Sequence, residues 1–372
     1  MGNTVIVAAK RTPVLRIKKK WGGYSSMQLG AHVIEKFLDD AGDAISRGLV
    51  PDQVIMGNFA APNDCLNPAK EACEILGFGV NQLNAFTVNK VCSSGLVSVM
   101  LGDALIRARD AECVIAGGME NLLSLTDEKM LSLLVADHRT GEMTWHAGDW
   151  CAKEFDISRA EQDIWALESY ERSFIAQNRG AFRDEIVPFA GQELDEEPLR
   201  RFGAEVITAA ELIPGCETIT PLNSSKNAAG AAAVMLMNQR TCREYGFQPL
   251  AYIVGSASVG LGGASKRFTV APPVAIEEAL RKAGLGLDAI DLFFINTAFS
   301  SVTLYAQKKL GIPMDKLNVH GDAVSVGHPI GATGAKLLVE AVHALRNLDK
   351  RYAVISLCNA PAEATAMVIE RA

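Results

Sequence analysis

The apolar positions of this 372-residue chain change period several times, and the changes come twice in the same order. Thr4-Val5-Ile6-Val7-Ala8-Ala9 is a continuous apolar run of strand length. Ile34-Glu35-Lys36-Phe37-Leu38-Asp39-Asp40-Ala41 then recurs at helical spacing and meets Gly42 as a stop, and Gln53-Val54-Ile55-Met56-Gly57-Asn58 predicts a strand. In the last third, Ile276 to Ala283 with Gly284, followed by Leu292-Phe293-Phe294-Ile295-Asn296, repeats helix, stop and strand. Asn58 and Asn296 lie 238 positions apart, which predicts a duplicated strand-helix unit related by a pseudo-twofold arrangement. Residues from about 120 to 245 break the pattern. They hold a long polar helix from Arg159 to Asn178, the acidic run Gln192-Glu193-Leu194-Asp195-Glu196-Glu197, expected to be a solvated surface, and the small-residue run Asn227 to Val234. The expected division is an N-terminal half over 1–119, an inserted segment covering the site over 120–245, and a C-terminal half over 246–372.

Candidate chemistry sits where apolar runs turn into helices or end. Val88-Asn89-Lys90-Val91-Cys92-Ser93-Ser94-Gly95 sets one thiol between a strand and a long apolar helix. There the helix dipole and end N–H groups favour thiolate, and small neighbours let a carbonyl approach the backbone, so Cys92 reads as an acyl-transfer nucleophile or, alternatively, as a packing thiol. Ser325-Val326-Gly327-His328-Pro329-Ile330-Gly331-Ala332-Thr333-Gly334 places His328 in a glycine-rich turn ahead of a helix near Ala335. The other five histidines lack such a setting, so His328 is the candidate base. Cys92 and His328 are 236 positions apart, close to the repeat offset, which places them at equivalent helix starts. A buried-strand pattern, Val354-Ile355-Ser356-Leu357, runs into Cys358, a second functional thiol or a structural one.

Composition narrows the class. A 49% hydrophobic content and mean hydropathy of +0.13 suit a well-buried core, and no apolar run is expected to approach the ~18 residues of a membrane span. The chain opens on a strand-like run instead of a signal peptide, and its eight cysteines lack paired short spacings, so reduced thiols in a cytoplasmic protein are expected, with no membrane and no metal site. A net charge of −7 argues against a nucleic-acid partner. The one basic cluster, Arg11, Arg16, Lys18, Lys19 and Lys20, reads either as a solvated loop or as a patch for a phosphorylated ligand or an acidic partner.

Taken together, these segments resemble the thiolase family. The resemblance rests on Asn89-Lys90-Val91-Cys92-Ser93-Ser94-Gly95, Gly117-Gly118-Met119-Glu120-Asn121, Gly327-His328-Pro329-Ile330-Gly331, Val5 to Pro13, Arg183 to Pro188 and Asn223-Ser224-Ser225, and so spans nearly the whole chain. It implies an α/β fold of two stacked halves in five layers, α-β-α-β-α, with a loop domain. It also implies CoA-dependent cleavage of a β-ketoacyl-CoA, or the reverse condensation, with coenzyme A as co-substrate and no permanently bound cofactor. Cys92 would carry the acyl group, His328 would take its proton, and Cys358 would protonate the leaving enolate. His328 with a water held by Asn296 would form one oxyanion hole, and the backbone N–H groups of Cys92 and Ala360 the other. Ser225 would contact the pantetheine arm with Ala298, Phe299 and His146 nearby. Ordinary packing or capping stays open for these four, and a strand-end turn role for Asn296.

Several positions depart from the family pattern. Asn296-Thr297-Ala298-Phe299 stands where Asn-Glu-Ala-Phe is usual, so a carboxylate is expected to be missing, and Ala360-Pro361-Ala362 replaces a glycine run after Cys358. Ala147 replaces a methionine and Leu222 a glycine, both expected to alter the pocket wall. The enlarged pocket suggests a bulky, branched or aromatic acyl group. Benzoylsuccinyl-CoA is one candidate, with basic residues near Lys18 as carboxylate contacts. Rival readings are a catalytically weakened acyl-CoA-binding subunit and a condensing enzyme of the ketoacyl-synthase type; the second thiol argues against the latter. The short stretch between Asn121 and His146 suggests a homodimer, with room for a second, different subunit.

Overall fold

The computed structural model describes residues 4–61, 65–77, 83–122, 137 and 140–372. Its strands are β1 (Val5–Arg11), β2 (Leu15–Arg16), β3 (Gln53–Gly57), β4 (Asn84–Val88), β5 (Cys113–Glu120), β6 (Ala228–Met237), β7 (Ala251–Gly260), β8 (Leu292–Ile295), β9 (Tyr352–Asn359) and β10 (Glu363–Arg371). The helices that position the site are α1 (Ser26–Asp40), α2 (Pro68–Ile75), α3 (Ser94–Ala108), α4 (Thr144–Glu154), α5 (Arg159–Asn178), α6 (Pro272–Ala283), α7 (Ser300–Leu310) and α8 (Thr333–Asn347). The strand order is β4-β3-β5-β6-β1-β7-β10-β9-β8, with β2 beside β6.

The predicted duplication is visible in that order. Outward from β1 the neighbours are β6, β5 and β3, and outward from β7 they are β10, β9 and β8. Each series runs antiparallel until its last step, β5 to β3 or β9 to β8, which is parallel. Strands β1 and β7 join the two halves through the pairs Val5↔Tyr252 and Ile6↔Ala251. Helices α1 and α2 cover the outer face of the first half, α6 covers that of the second, and α3 and α8 pack on each other between the halves. Five layers result, α-β-α-β-α. The middle layer is apolar on nearly all sides because strands face it from both directions, so Leu96, Val99, Leu337, Leu338, Val342, Ile355 and Met367 share one core.

Local signals explain most boundaries. Ser25 and Ser158 open α1 and α5 with capping boxes to Gln28 and Glu161, and Gly284 ends α6 at a left-handed φ of +68°. Gly42 behaves differently: Ala41 caps α1, and Gly42 begins a one-turn helix that runs to Ser46. The 18-residue stretch Val91–Ala108, with mean hydropathy 1.4, does reach the apolar length of a membrane span. It owes that hydropathy to α3's place in the central layer.

Two expectations about the middle of the chain are corrected. The small-residue run is not part of a cover: Ala228 to Met237 is the fully buried strand β6, flanked by β5 and β1, where small side chains let helices pack closely on both faces. The acidic run is not a solvated surface either, since Asp195, Glu196 and Glu197 are buried and hold the basic cluster. Arg11 donates to both oxygens of Asp195 (2.7 and 2.9 Å) and to Glu185 (2.7 Å); Arg16 pairs with Glu197, and Lys18 and Lys20 with Glu196. The side chain of Lys19 lies outside the described residues. The two charge runs neutralise each other, which removes Lys18 as a substrate contact.

Removing one partner of a buried ion pair strands the other in low dielectric, at a cost of ~3–5 kcal/mol. Arg11 is almost wholly enclosed. Asp195→Ala is therefore expected to lower unfolding free energy by that amount in urea titration. A loss below about 1 kcal/mol, the range of an exposed pair, would contradict the assignment.

Candidate active site

Strand β4 delivers the chain to a tight turn before α3. Val91 takes φ +51°, an unfavourable conformation for a β-branched residue, and the turn is held by Lys90 N–H to Ser94 Oγ (2.8 Å) and Ser94 Oγ–H to the Val91 carbonyl (2.6 Å). Cys92 follows, two residues before the first turn of α3. On the other half, Gly327 at φ +116° turns the chain into His328, whose N–H donates to the Lys226 carbonyl (2.7 Å).

The two side chains meet: His328 Nε2 lies 3.2 Å from Cys92 Sγ. His328 Nδ1 lies 2.6 Å from Thr333 Oγ1, and that hydroxyl gives its only proton to the Pro329 carbonyl (2.8 Å). The hydroxyl must then accept from Nδ1–H, which assigns the proton to Nδ1 and leaves the Nε2 lone pair facing the thiol. Burial pushes the Cys92 thiol up to about 12 and, with help from Lys336, His328 down to about 4. The resting pair is thus neutral thiol and neutral imidazole, where the helix start alone had suggested a thiolate; desolvation outweighs the backbone N–H that favours the anion.

Glu120, at the end of β5, binds the loops of both halves. Its carboxylate accepts from Phe59 N–H (3.1 Å), Ala60 N–H (3.4 Å), Asn58 Nδ2 (3.2 Å) and Gly331 N–H (3.0 Å). Burial pushes it up to about 7 despite those donors. Cys358 ends β9, wholly buried, and burial followed by the nearness of Cys92 holds its thiol far above the usual range. The neighbouring Asn359 ties the thiol loops together, accepting from Ser93 Oγ (2.8 Å) and donating to Glu363 (2.9 Å), which in turn holds Lys90 (2.5 Å).

Cys92, His328, Cys358, Ala360, Ser225, Ala298 and Phe299 line one cavity of ≈ 850 Å³, together with Ala147 and Phe268. Ser225 N–H donates to the Ala298 carbonyl (2.9 Å), joining those two segments. The Ala360-Pro361 peptide is cis. Asn296 is buried, and its Oδ1 and Nδ2 have no partner among the described residues, leaving Oδ1 able to accept from a water and Nδ2 able to donate to a water or an oxyanion. His146 is not brought to the cavity, because its ring packs against Gly215, where an added Cβ would meet Nε2 at 2.8 Å. Leu222 also leaves the wall, packing with Ala166, Tyr170, Ile207 and Val324.

The carboxylate expected to be missing beside Thr297 is present from elsewhere. Asp322 accepts from Thr297 Oγ1 (2.5 Å), Trp165 Nε1 (2.9 Å), Ser169 Oγ (2.8 Å) and Val324 N–H (2.9 Å). Sequence reasoning overlooked it, as it overlooked Thr333, Glu120 and Lys226. Thr333 and Glu120 were inside quoted motifs, whereas no local pattern connects positions 297 and 322.

Residues 4–240 match the family described as thiolase, N-terminal domain, and residues 247–371 match thiolase, C-terminal domain. Acetyl-CoA acetyltransferase of Escherichia coli is 37% identical over the whole of both chains, and a probable acetyl-CoA acetyltransferase of Dictyostelium discoideum is 35% identical over 99% of this chain and 94% of its own. Among solved structures, the Bacillus anthracis acetyl-CoA acetyltransferase superposes with TM-score 0.92 (29% identity; 100% and 99% of the two chains). Human mitochondrial 3-ketoacyl-CoA thiolase in complex with CoA superposes with 0.91 (29%; 100% and 98%).

Thr333→Val keeps the size of the side chain but removes the acceptor that fixes the His328 tautomer. A fall in kcat of about ten- to hundredfold is expected, of the order seen when a histidine's orienting partner is lost. Unchanged kcat, with the fold intact by circular dichroism, would remove Thr333 from the site.

Proposed function

This chain belongs to the thiolase family, acyltransferases of CoA-dependent thiolytic cleavage or the reverse condensation, and we propose that it works through an acyl-Cys92 intermediate. The 3.2 Å contact between Cys92 Sγ and His328 Nε2, with Cys358 in the same cavity, carries the reading. As Cys92 attacks the keto carbon of a β-ketoacyl-CoA, its proton passes to His328 Nε2. The tetrahedral oxyanion collapses, the carbon–carbon bond breaks, and its electron pair goes to the departing thioester enolate, which takes the Cys358 proton. The imidazolium returns its proton to Cys358, then His328 takes the CoA–SH proton as the CoA sulfur attacks acyl-Cys92, and gives it to the departing Cys92 sulfur. Two neutral thiols and a neutral imidazole are the starting states this cycle needs. We assign one oxyanion site to His328 and a water on Asn296, and the other to the N–H groups of Cys92 and Ala360. Ser225, Ala298 and Phe299 are assigned to the pantetheine arm.

The acyl group is proposed to be bulky, branched or aromatic, benzoylsuccinyl-CoA being one candidate. Ala147 and Phe268 in a cavity of ≈ 850 Å³ support that choice. We place the enzyme in the cytoplasm, a reading supported by the free thiols at Cys73, Cys113, Cys151, Cys216 and Cys242. A homodimer is proposed, with β4 as the end strand left for pairing. Most of the stretch between Asn121 and His146 lies outside the described residues. Light scattering should give twice the 39.8 kDa chain mass; a homotetramer would overturn this.

With a β-ketoacyl-CoA or acyl-CoA, mass spectrometry should find the acyl group on Cys92. Cys358→Ala should retain acyl exchange yet lose cleavage by about 10²–10⁴-fold, since only cleavage and condensation move the α-proton. Equal loss of both half-reactions would contradict the division of roles. Highest kcat/KM for acetoacetyl-CoA in a substrate panel would reject the bulky-acyl proposal, and no turnover with Cys92 accessible would favour a weakened acyl-CoA-binding subunit.

A further inference from the structure

One side chain in the cavity has a charge that the mechanism does not use. Lys226 lines it between Ser225 and β6, and its backbone is tied directly to the base: its carbonyl accepts the His328 N–H, and its own N–H donates to Ala323 (3.1 Å). Its Nζ donates to the Ser224 carbonyl (2.6 Å) and lies 5.8 Å from the Tyr170 ring centroid. An ammonium has three N–H donors, and among the described residues no carboxylate comes within 4.0 Å of this one. The carboxylates that influence it are committed elsewhere. Glu197 takes the Tyr170 hydroxyl (2.9 Å), Arg200 (3.2 Å) and Arg16 (2.8 Å), and Asp322 is held by the Trp165, Ser169 and Thr297 side chains. Arg16, Arg200 and Glu197 line the same cavity as Lys226, so these three cations share its lining with the Glu197 carboxylate, while Asp322 is buried outside it. Burial pushes Lys226 down to about 7, the mark of a desolvated cation that an incoming anion would stabilise.

We propose that Lys226, backed by Arg200, receives a carboxylate on the acyl portion of the substrate, making the enzyme selective for β-ketoacyl-CoA thioesters that carry a second, ionised carboxyl group. The proposal rests on the thiolase reading of the site above and replaces Lys18 with Lys226 as the contact. A phosphate of CoA is the other anion at hand. Lys226 shares a backbone hydrogen bond with the base at the reacting thioester, whereas the phosphates lie at the far end of the pantetheine arm.

The test compares 3-oxoadipyl-CoA with 3-oxohexanoyl-CoA, matched in chain length and differing in the terminal carboxylate, in CoA-dependent cleavage by wild type, Lys226→Met and Lys226→Arg. Wild type should prefer the carboxylated substrate in kcat/KM by about tenfold or more, the size of one charge-assisted hydrogen bond. Lys226→Met should abolish that ratio and Lys226→Arg should retain it. Equal ratios in wild type and Lys226→Met would overturn the proposal. So would an equal loss of kcat/KM for both CoA substrates in Lys226→Met that is absent when the acyl groups are presented on pantetheine, which would assign the cation to CoA phosphate. Calorimetry of succinyl-CoA against butyryl-CoA on Cys92→Ala reads the same preference without turnover. A retained binding preference with no cleavage of any thioester would refute the catalytic reading and leave the carboxylate site standing, and no binding preference would refute the site.

Discussion

Everything in the site depends on how closely two helix starts approach, and one carbonyl sets that distance. The Gly331 oxygen sits where a Cβ at Gly118 would lie 2.1 Å away, and one at Gly57 or Gly95 2.8 Å away. A Cβ at Gly334 would reach the Leu96 nitrogen at 2.6 Å. No side chain fits at these positions, so α3 and α8 meet backbone to backbone across the pseudo-twofold axis. The Cys92 to His328 contact is a consequence of that packing, and Glu120 locks it by holding Gly331 on one side and the loop after β3 on the other. The proposed catalytic pair, drawn from two halves of a duplicated chain, thereby gains the rigidity of the core between them.

The same burial sets the electrostatics. Burial favours Cys92 and Cys358 as thiols and His328 as imidazole, so no thiolate–imidazolium pair stands ready before a substrate arrives. On the proposed mechanism, charge appears when a carbonyl is attacked and its oxygen becomes an anion beside helix-start N–H groups. Dipoles fixed in advance favour that state over the neutral one, and differential stabilisation of this kind lowers a barrier, whereas uniform binding does not. Thr333 matters for the same reason: the tautomer of a buried imidazole is fixed by a hydroxyl whose single proton is already given to Pro329.

What the sequence made legible was local. The helix over Arg159–Asn178, the strand from Gln53, the Gly284 stop and the two helix starts all follow from periodicity and capping within a few residues. The failures share a cause in contacts distant along the chain. Arg11 finds Asp195 only after 184 positions, so a basic loop and an acidic run that each read as solvated are one buried cluster. Alanine-rich β6 read as part of an insertion covering the site because its partners β1 and β5 come from another part of the chain. His146 and Ala147 are adjacent in sequence, yet successive residues of a helix point about 100° apart, and only Ala147 reaches the cavity.

The departures from the family pattern now separate into two kinds. At Thr297 the change conserves a physical requirement, because Asp322 brings a carboxylate to the same hydroxyl and keeps the loop before His328 anchored through Val324 and Ser169. At Ala147 nothing of that sort balances the change, which shortens the cavity wall, and Lys226 sets a cation in the same cavity without a protein carboxylate in contact among the described residues. A compensated change preserves the machinery, and an uncompensated one at a cavity wall alters what the machinery accepts. On the proposed reading, the reacting atoms and their supports serve the chemistry of the family, while the cavity wall around them decides which acyl group is accepted.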